Sequence, residues 1–234
     1  QSAQDLSICV DSRHAAAMTR TWLRRLLALT AIGLGAPLLI AVCVYAKWCV
    51  MDGKLTTITP GSVYQSAAFD ADELLETCRR YGIRSVIDLR DNRPESVSAN
   101  VAAARSAGLQ HIHLPTGTYP TPTFVESFLT QIRTAERPVL VHCHHGEGRS
   151  VLMCALHRIQ NEGWTNEQAL AGTCRLPDSL HFLTAWFPSL RRFKATHPKG
   201  RAVLKYRRRP SAAEAAPGSA ATAPTPRPAP SGAR

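Results

Sequence analysis

Two hydrophobic patterns divide the chain. Leu26–Ala46 is an uncharged run of 21 residues with no polar face, and about 20 such residues are enough to cross a bilayer as a helix. From Ser62 to about Pro198 short β-branched runs alternate instead with stretches of helical period, the mark of an α/β domain with parallel pairing. The expected strands are Val63–Gln65 at an edge, Ser85–Leu89, Gln110–Leu114 and Val139–His142. Asp70 with Glu73 makes a capping box for a helix ending near Gly82, and an alanine-rich helix carrying Val97 and Val101 runs to Gly108. Phe124–Ala135 puts Phe124, Phe128, Leu129 and Ile132 on one face, and a further helix runs from Ser150 to near Gly163. Thr165 with Gln168 caps a short helix. A last helix from Ser179 places Leu180, Leu183, Trp186, Phe187 and Leu190 at core spacing, with a kink at Pro188. The expected fold is a small, mostly parallel central sheet flanked by helices, with one N-terminal transmembrane helix.

The division that follows is an N-terminal cytoplasmic segment (1–25), a membrane anchor (26–46), a linker (47–60), a globular domain (61–198) and a disordered tail (199–234). Arg20, Arg24 and Arg25 precede the apolar run, so the positive-inside bias puts the N-terminus in the cytoplasm and the domain outside. Trp22 and Trp48 bracket it as interfacial aromatics do. Val44–Ala46 also fits a signal-peptidase site; the length of the run favours an uncleaved anchor, and either reading exports the domain. The segment Ile40–Cys43 resembles a lipoprotein box but has Val42 where a small residue belongs. Met18 is the natural start of such a segment, which leaves residues 1–17 outside the native protein on this reading. From Pro210 onward no large apolar residue remains to offset the entropy of ordering.

Charge changes the picture less than its total of +11 suggests. Residues 55–200 hold 15 Lys/Arg against 13 Asp/Glu, whereas residues 201–234 hold seven against one. The basicity is in the flanks, and the domain does not read as a nucleic-acid binder. Seven cysteines without a C-x-x-C spacing indicate neither a zinc site nor a disulfide framework.

Candidate chemistry is concentrated in Val139–Ser150, VLVHCHHGEGRS, which contains C-x5-R. A second copy, Cys78 to Arg84, falls in a predicted helix and its exit and is accidental. Around Cys143 a strand ends, a loop with two glycines follows, and a helix begins. Gly146 and Gly148 let consecutive amides converge on one point, and the helix adds its positive end there. Arg149 offers a planar fork matched to two phosphate oxygens. In that field the Cys143 thiolate is favoured and becomes a nucleophile at neutral pH, with Ser150 able to hydrogen-bond the sulfur.

The stretch His142–Ser150 resembles the H-C-x5-R-S/T signature of protein tyrosine and dual-specificity phosphatases. Ser62–Ala68, Gly82–Arg90 and Pro138–Leu170 extend the likeness to a bacterial branch of exported dual-specificity phosphatases, over roughly residues 60–195. The resemblance implies attack of Cys143 on phosphorus, a cysteinyl-phosphate and its hydrolysis, with Arg149 and the loop residues His144, His145, Gly146, Glu147 and Gly148 holding the phosphate. It also implies that His142 orients and tunes Cys143, and that no metal or organic cofactor is needed.

The family's general acid, an Asp after the strand Gln110–Leu114, has no counterpart in Pro115–Thr123. Glu126, Glu147 and His144 or His145 are the candidates, beside the reading that no acid exists. Gln65 replaces a usual Arg, Val151 replaces a usual Gly, and Arg90 either binds substrate or pairs at the surface with Asp88 or Asp91. The expected function is a phosphotyrosine and phosphoserine/threonine phosphatase on the periplasmic side of a bacterial inner membrane. Its partners would be phosphorylated protein segments and, through the helix, the membrane. A phosphatase of phospholipid or inositol-phosphate head groups and a phosphate sensor without turnover are the alternatives. A rhodanese-like sulfur transferase fits the loop less well.

Overall fold

The computed structural model describes residues 2–209, with side chains from Trp22 onward. The described residues fall into two compact units that divide after Ala46. The first belongs to helix α1 (Ser2–Val50), which continues through Pro37. Its segment Trp22–Val50 is long and apolar enough to cross a membrane.

The second unit is built on a five-stranded sheet, β1 (Thr56–Thr59), β2 (Val63–Ser66), β3 (Ser85–Asp88), β4 (Gln110–His113) and β5 (Val139–His142). Their order is β1-β2-β5-β3-β4, with β1 antiparallel to β2 and every other pair parallel. All four residues of β3 and of β5 are buried, as continuous apolar runs require when helices cover both faces. Val86 and Leu140 join one apolar cluster with Leu74 and Cys78 of α2 (Ala71–Tyr81). Ile87, Val139 and Val141 join the other with α4 (Pro122–Thr134), α5 (Arg149–Glu162) and α6 (Asn166–Ala171). Alternate residues of one strand thus feed opposite cores. Helix α3 (Pro94–Ser106) lies between β3 and β4 in the chain.

The predicted local signals are realised. Asp70 and Glu73 form the reciprocal capping box of α2, which ends at Gly82 in the left-handed conformation. Thr165 and Gln168 do the same for α6. The accidental Cys78 lies buried inside α2.

Five expectations require correction. Residues 47–60 are not a linker: β1 lies within them, and Leu55 and Ile58 are buried. Trp48 is therefore not an interfacial aromatic, for it is buried and its Nε1 donates to Leu55 O at 2.7 Å. Because β1 adds to the sheet, Val63–Ser66 is an inner strand and not an edge.

The stripe at 180–190 does not make a core helix. It breaks into a 3-10 turn at Asp178–Leu180, a single turn α7 (Leu183–Trp186) and a second 3-10 turn at Pro188–Leu190, leaving Phe182, Trp186 and Phe187 exposed. Proline at 188 and the shortness of each piece prevent a continuous apolar face from forming.

The domain also does not end at Pro198. Helix α8 (Pro198–Lys205) follows, with Val203 fully buried, and Asn166 Nδ2 holds Leu204 O and Tyr206 O, each at 2.8 Å. The remainder of the expected tail, residues 210–234, lies outside the described residues.

Candidate active site

The parallel strands deliver the chemistry at their C-terminal ends, where ligands bind in open α/β sheets. Strand β5 runs into the loop Cys143–Gly148, and α5 starts at Arg149. The bend requires Gly146. Its φ is +65°, and a Cβ there would meet Ala67 N at 2.5 Å and Ser66 C at 2.8 Å. The loop is also tied to the segment after β2, where Ala68 N donates to His144 O at 3.2 Å.

Cys143 is buried, and its Sγ lies 3.2 Å from Ser150 Oγ. Burial alone would raise the thiol. The Ser150 hydroxyl and the amides of Ser150, Gly148 and Gly146 outweigh it and hold the pKa below the ordinary range. Arg149 is anchored through Nη1 alone, to Leu89 O at 3.1 Å, Thr116 O at 2.6 Å and Asp91 Oδ1 at 2.5 Å. The end of β3 and the loop after β4 therefore grip one edge of the guanidinium. The other edge, Nε and Nη2, is left to bind two oxygens of an anion.

A buried thiolate-prone cysteine in a cradle of amides with a presented arginine fork is the apparatus for attacking a phosphate ester. Residues 64–180 match a family model described as a DSP-PTPase phosphatase fused to NAD+ kinase. The chain belongs to this DSP-PTPase family. A stretch of 48 residues is 48% identical to the dual specificity protein phosphatase TpbA of two Pseudomonas aeruginosa strains, covering 20% of this chain and 22% of each relative.

Among solved structures, P. aeruginosa TpbA is similar at 22% identity, covering 64% of this chain and 88% of that one with a TM-score of 0.45. The core catalytic domain of the PP-IP phosphatase SIW14 from S. cerevisiae is similar at 15% identity, covering 65% and 85%, with a TM-score of 0.48.

In this DSP-PTPase the sequence-selected residues take unequal places. His142 is fully buried and neither ring nitrogen has a hydrogen-bond partner. Burial pushes it down to about 4, against the pull of Asp88 Oδ2 at 3.8 Å, so the ring is neutral at pH 7. It makes no hydrogen bond to the sulfur.

Arg90 is not at the surface. It is 1% exposed and clamps both oxygens of Asp88, with Nη2 2.6 Å from Oδ2. Burial favours the neutral carboxyl of Asp88, yet His142 and that guanidinium together keep the pKa low. Asp88, His111 and His142 form a cluster of potential metal ligands. A cation there would have to enter beside the guanidinium that already holds the carboxylate.

Both proposed carboxyl acids are held in ion pairs. Glu147 is bound by Lys54 and by Arg192, whose Nη2 lies 2.6 Å from Oε2. Burial raises its carboxyl, but these two cations hold it below the usual range. Glu126 is paired with Arg209. His144 is held low by burial, His145 and Arg93, and His145 is exposed.

The residue that sequence reasoning undervalued is Gln65. It is buried, with Nε2 at 3.0 Å from both Ser150 Oγ and Gly146 O. An amide donating to the Ser150 oxygen turns the hydroxyl hydrogen toward Sγ. The signal in the sequence was its departure from the family's usual Arg; its place on the strand beside β5 came from the structure.

Proposed function

We propose that this protein hydrolyses phosphomonoesters of phosphotyrosine and phosphoserine/threonine through a cysteinyl-phosphate. The observation that carries this reading is the Cys143 thiol, held low by Ser150 and three loop amides in front of the Arg149 fork. The thiolate attacks phosphorus in line while the amides and Arg149 stabilise the charge on the equatorial oxygens. Water then attacks the phosphocysteine and the thiolate leaves, stabilised by Ser150.

Membership of the DSP-PTPase family and the local identity to TpbA support a dual-specificity substrate range. The arginines before the apolar part of α1 support an inner-membrane anchor with the domain on the periplasmic side.

The test is hydrolysis of para-nitrophenyl phosphate and of tyrosine, serine and threonine phosphopeptides in reductant, with Cys143→Ser alongside. Turnover of peptides that Cys143→Ser abolishes is expected. Turnover confined to phospholipid or inositol-phosphate dispersions would replace the substrate class, and vanadate binding without turnover would replace the enzyme by a sensor.

A further inference from the structure

The departing oxygen of a phosphate ester needs a proton, and the carboxylates considered for this, together with Asp91, are occupied. Asp91 is bound to Arg149, Glu147 to Lys54 and Arg192, and Glu126 to Arg209. A different proton donor stands in the site. Lys199, in the first turn of α8, is only 7% exposed. A Cβ placed on Gly148 would lie 2.5 Å from its Nζ, so the ammonium occupies the space that this glycine leaves open at the N-terminal end of α5. On another side the ammonium faces the ring of Tyr119, 5.8 Å from the centroid. Tyr119 belongs to Pro115–Thr123, the loop in which an acid is expected and missing. Lys199 makes no ion pair with a carboxylate among the described residues.

The backbone is shaped to hold it there. His197 Nδ1 accepts from Lys199 N at 3.2 Å, and the ring of His197 stacks on Phe193. At Gly200 a Cβ would meet Lys194 O at 2.0 Å, so only glycine lets α8 approach the segment before it this closely.

Resting on the phosphatase reading, we propose that Lys199 is the general acid, and then the general base, of the reaction. In the first step the S–P bond forms and the bond from phosphorus to the ester oxygen breaks. The ammonium gives that oxygen a proton and becomes an amine. In the second step the amine takes a proton from the attacking water, a new P–O bond forms, the S–P bond breaks, and thiolate and ammonium are restored.

The charged and titratable groups facing Lys199 are Cys143, Arg149 and Arg192, with the Tyr119 ring beside them. Burial lowers the lysine, the thiolate opposes this, and the two arginines lower it further. The amine is thereby moved from the ordinary lysine range toward the operating pH, where acid–base catalysis is most effective.

The test uses the full chain in detergent, with Lys199→Met, Lys199→Arg and Cys143→Ser. The substrates are phenyl phosphate, whose leaving group needs a proton, and 2,4-dinitrophenyl phosphate, whose leaving group does not. For Lys199→Met, kcat/KM on phenyl phosphate should fall roughly 10²–10³-fold, with little change on the dinitrophenyl ester. The alkaline limb of the pH profile should vanish. Lys199→Arg should behave as Lys199→Met, because arginine keeps its proton.

Equal losses on both esters, recovery with Arg, or loss of vanadate binding in Lys199→Met would make Lys199 a phosphate-holding cation and overturn the proposal. Cys143-dependent turnover with the alkaline limb intact in Lys199→Met would overturn the Lys199 role alone. Absence of Cys143-dependent turnover in the unaltered chain would overturn both readings.

Discussion

The hydroxyl of Ser150 offers the sharpest perturbation of the nucleophile. Its Oγ lies 3.2 Å from Cys143 Sγ and receives Gln65 Nε2 at 3.0 Å, so its own hydrogen is directed to the sulfur. Removing a hydrogen bond to a charged group costs about 1.5–3 kcal/mol. At about 1.4 kcal/mol per pKa unit, Ser150→Ala should raise the thiol by about one to two units. The backbone amides of Gly146, Gly148 and Ser150 remain to hold part of the shift. The direct assay is the pH dependence of iodoacetamide alkylation of Cys143. The midpoint should move up by that amount, which slows alkylation roughly 10–100-fold at a fixed acidic pH. Dephosphorylation of the cysteinyl-phosphate should slow as well, since a more basic thiolate leaves less readily, and a burst should appear with para-nitrophenyl phosphate. An alkylation midpoint unmoved by Ser150→Ala would refute the argument that this hydroxyl holds the thiolate.

Two further outcomes follow from the loop. Gly146→Ala must place a Cβ 2.5 Å from Ala67 N at a φ of +65°, so it should destabilise by more than about 1 kcal/mol and abolish vanadate binding, read by thermal melting and by titration. Glu147→Gln removes a carboxylate held below its usual range by Lys54 and Arg192. That pairing is present above the unfolded carboxyl pKa of about 4.3 and is lost as pH falls through the lower folded value. Because the side chain is 43% exposed, the stability loss at pH 7 should be below about 1 kcal/mol and should fade in melts taken under acid conditions. The alkaline limb of the rate profile should be unaltered, as the proposed role of Lys199 requires.

How much of the site could be read beforehand depends on how local each interaction is. The loop was legible because its parts are consecutive: a buried strand, a cysteine, glycines and an arginine opening a helix over Val139–Ser150. Capping at Asp70 and Thr165 was legible for the same reason, since each box closes within four residues. The apolar stripe at 180–190 misled because periodicity reports only that a face exists. It does not report whether a surface is present to cover it, and Trp186 stays exposed. Arg90 misled in the opposite sense, since a charged residue at a strand end reads as surface until Asp88 and the flanking layers bury it.

The sequence by itself determined the α/β class, four of the five strands and their order, the cysteine loop with its arginine, and an apolar segment long enough for a membrane. Each of these is written in neighbouring residues, where backbone geometry and side-chain period leave few choices. The tertiary structure alone decided that residues 47–60 belong to the sheet, that Gln65 on β2 reaches Ser150 in the first turn of α5, that Asp91 and Thr116 anchor Arg149, and that Lys199 stands over Gly148. Apart from the β1–β2 pairing, those contacts join positions from 33 to 85 residues apart. They arise because parallel strands return every loop to the same edge of the sheet, and composition and spacing carry no trace of which loops will meet there.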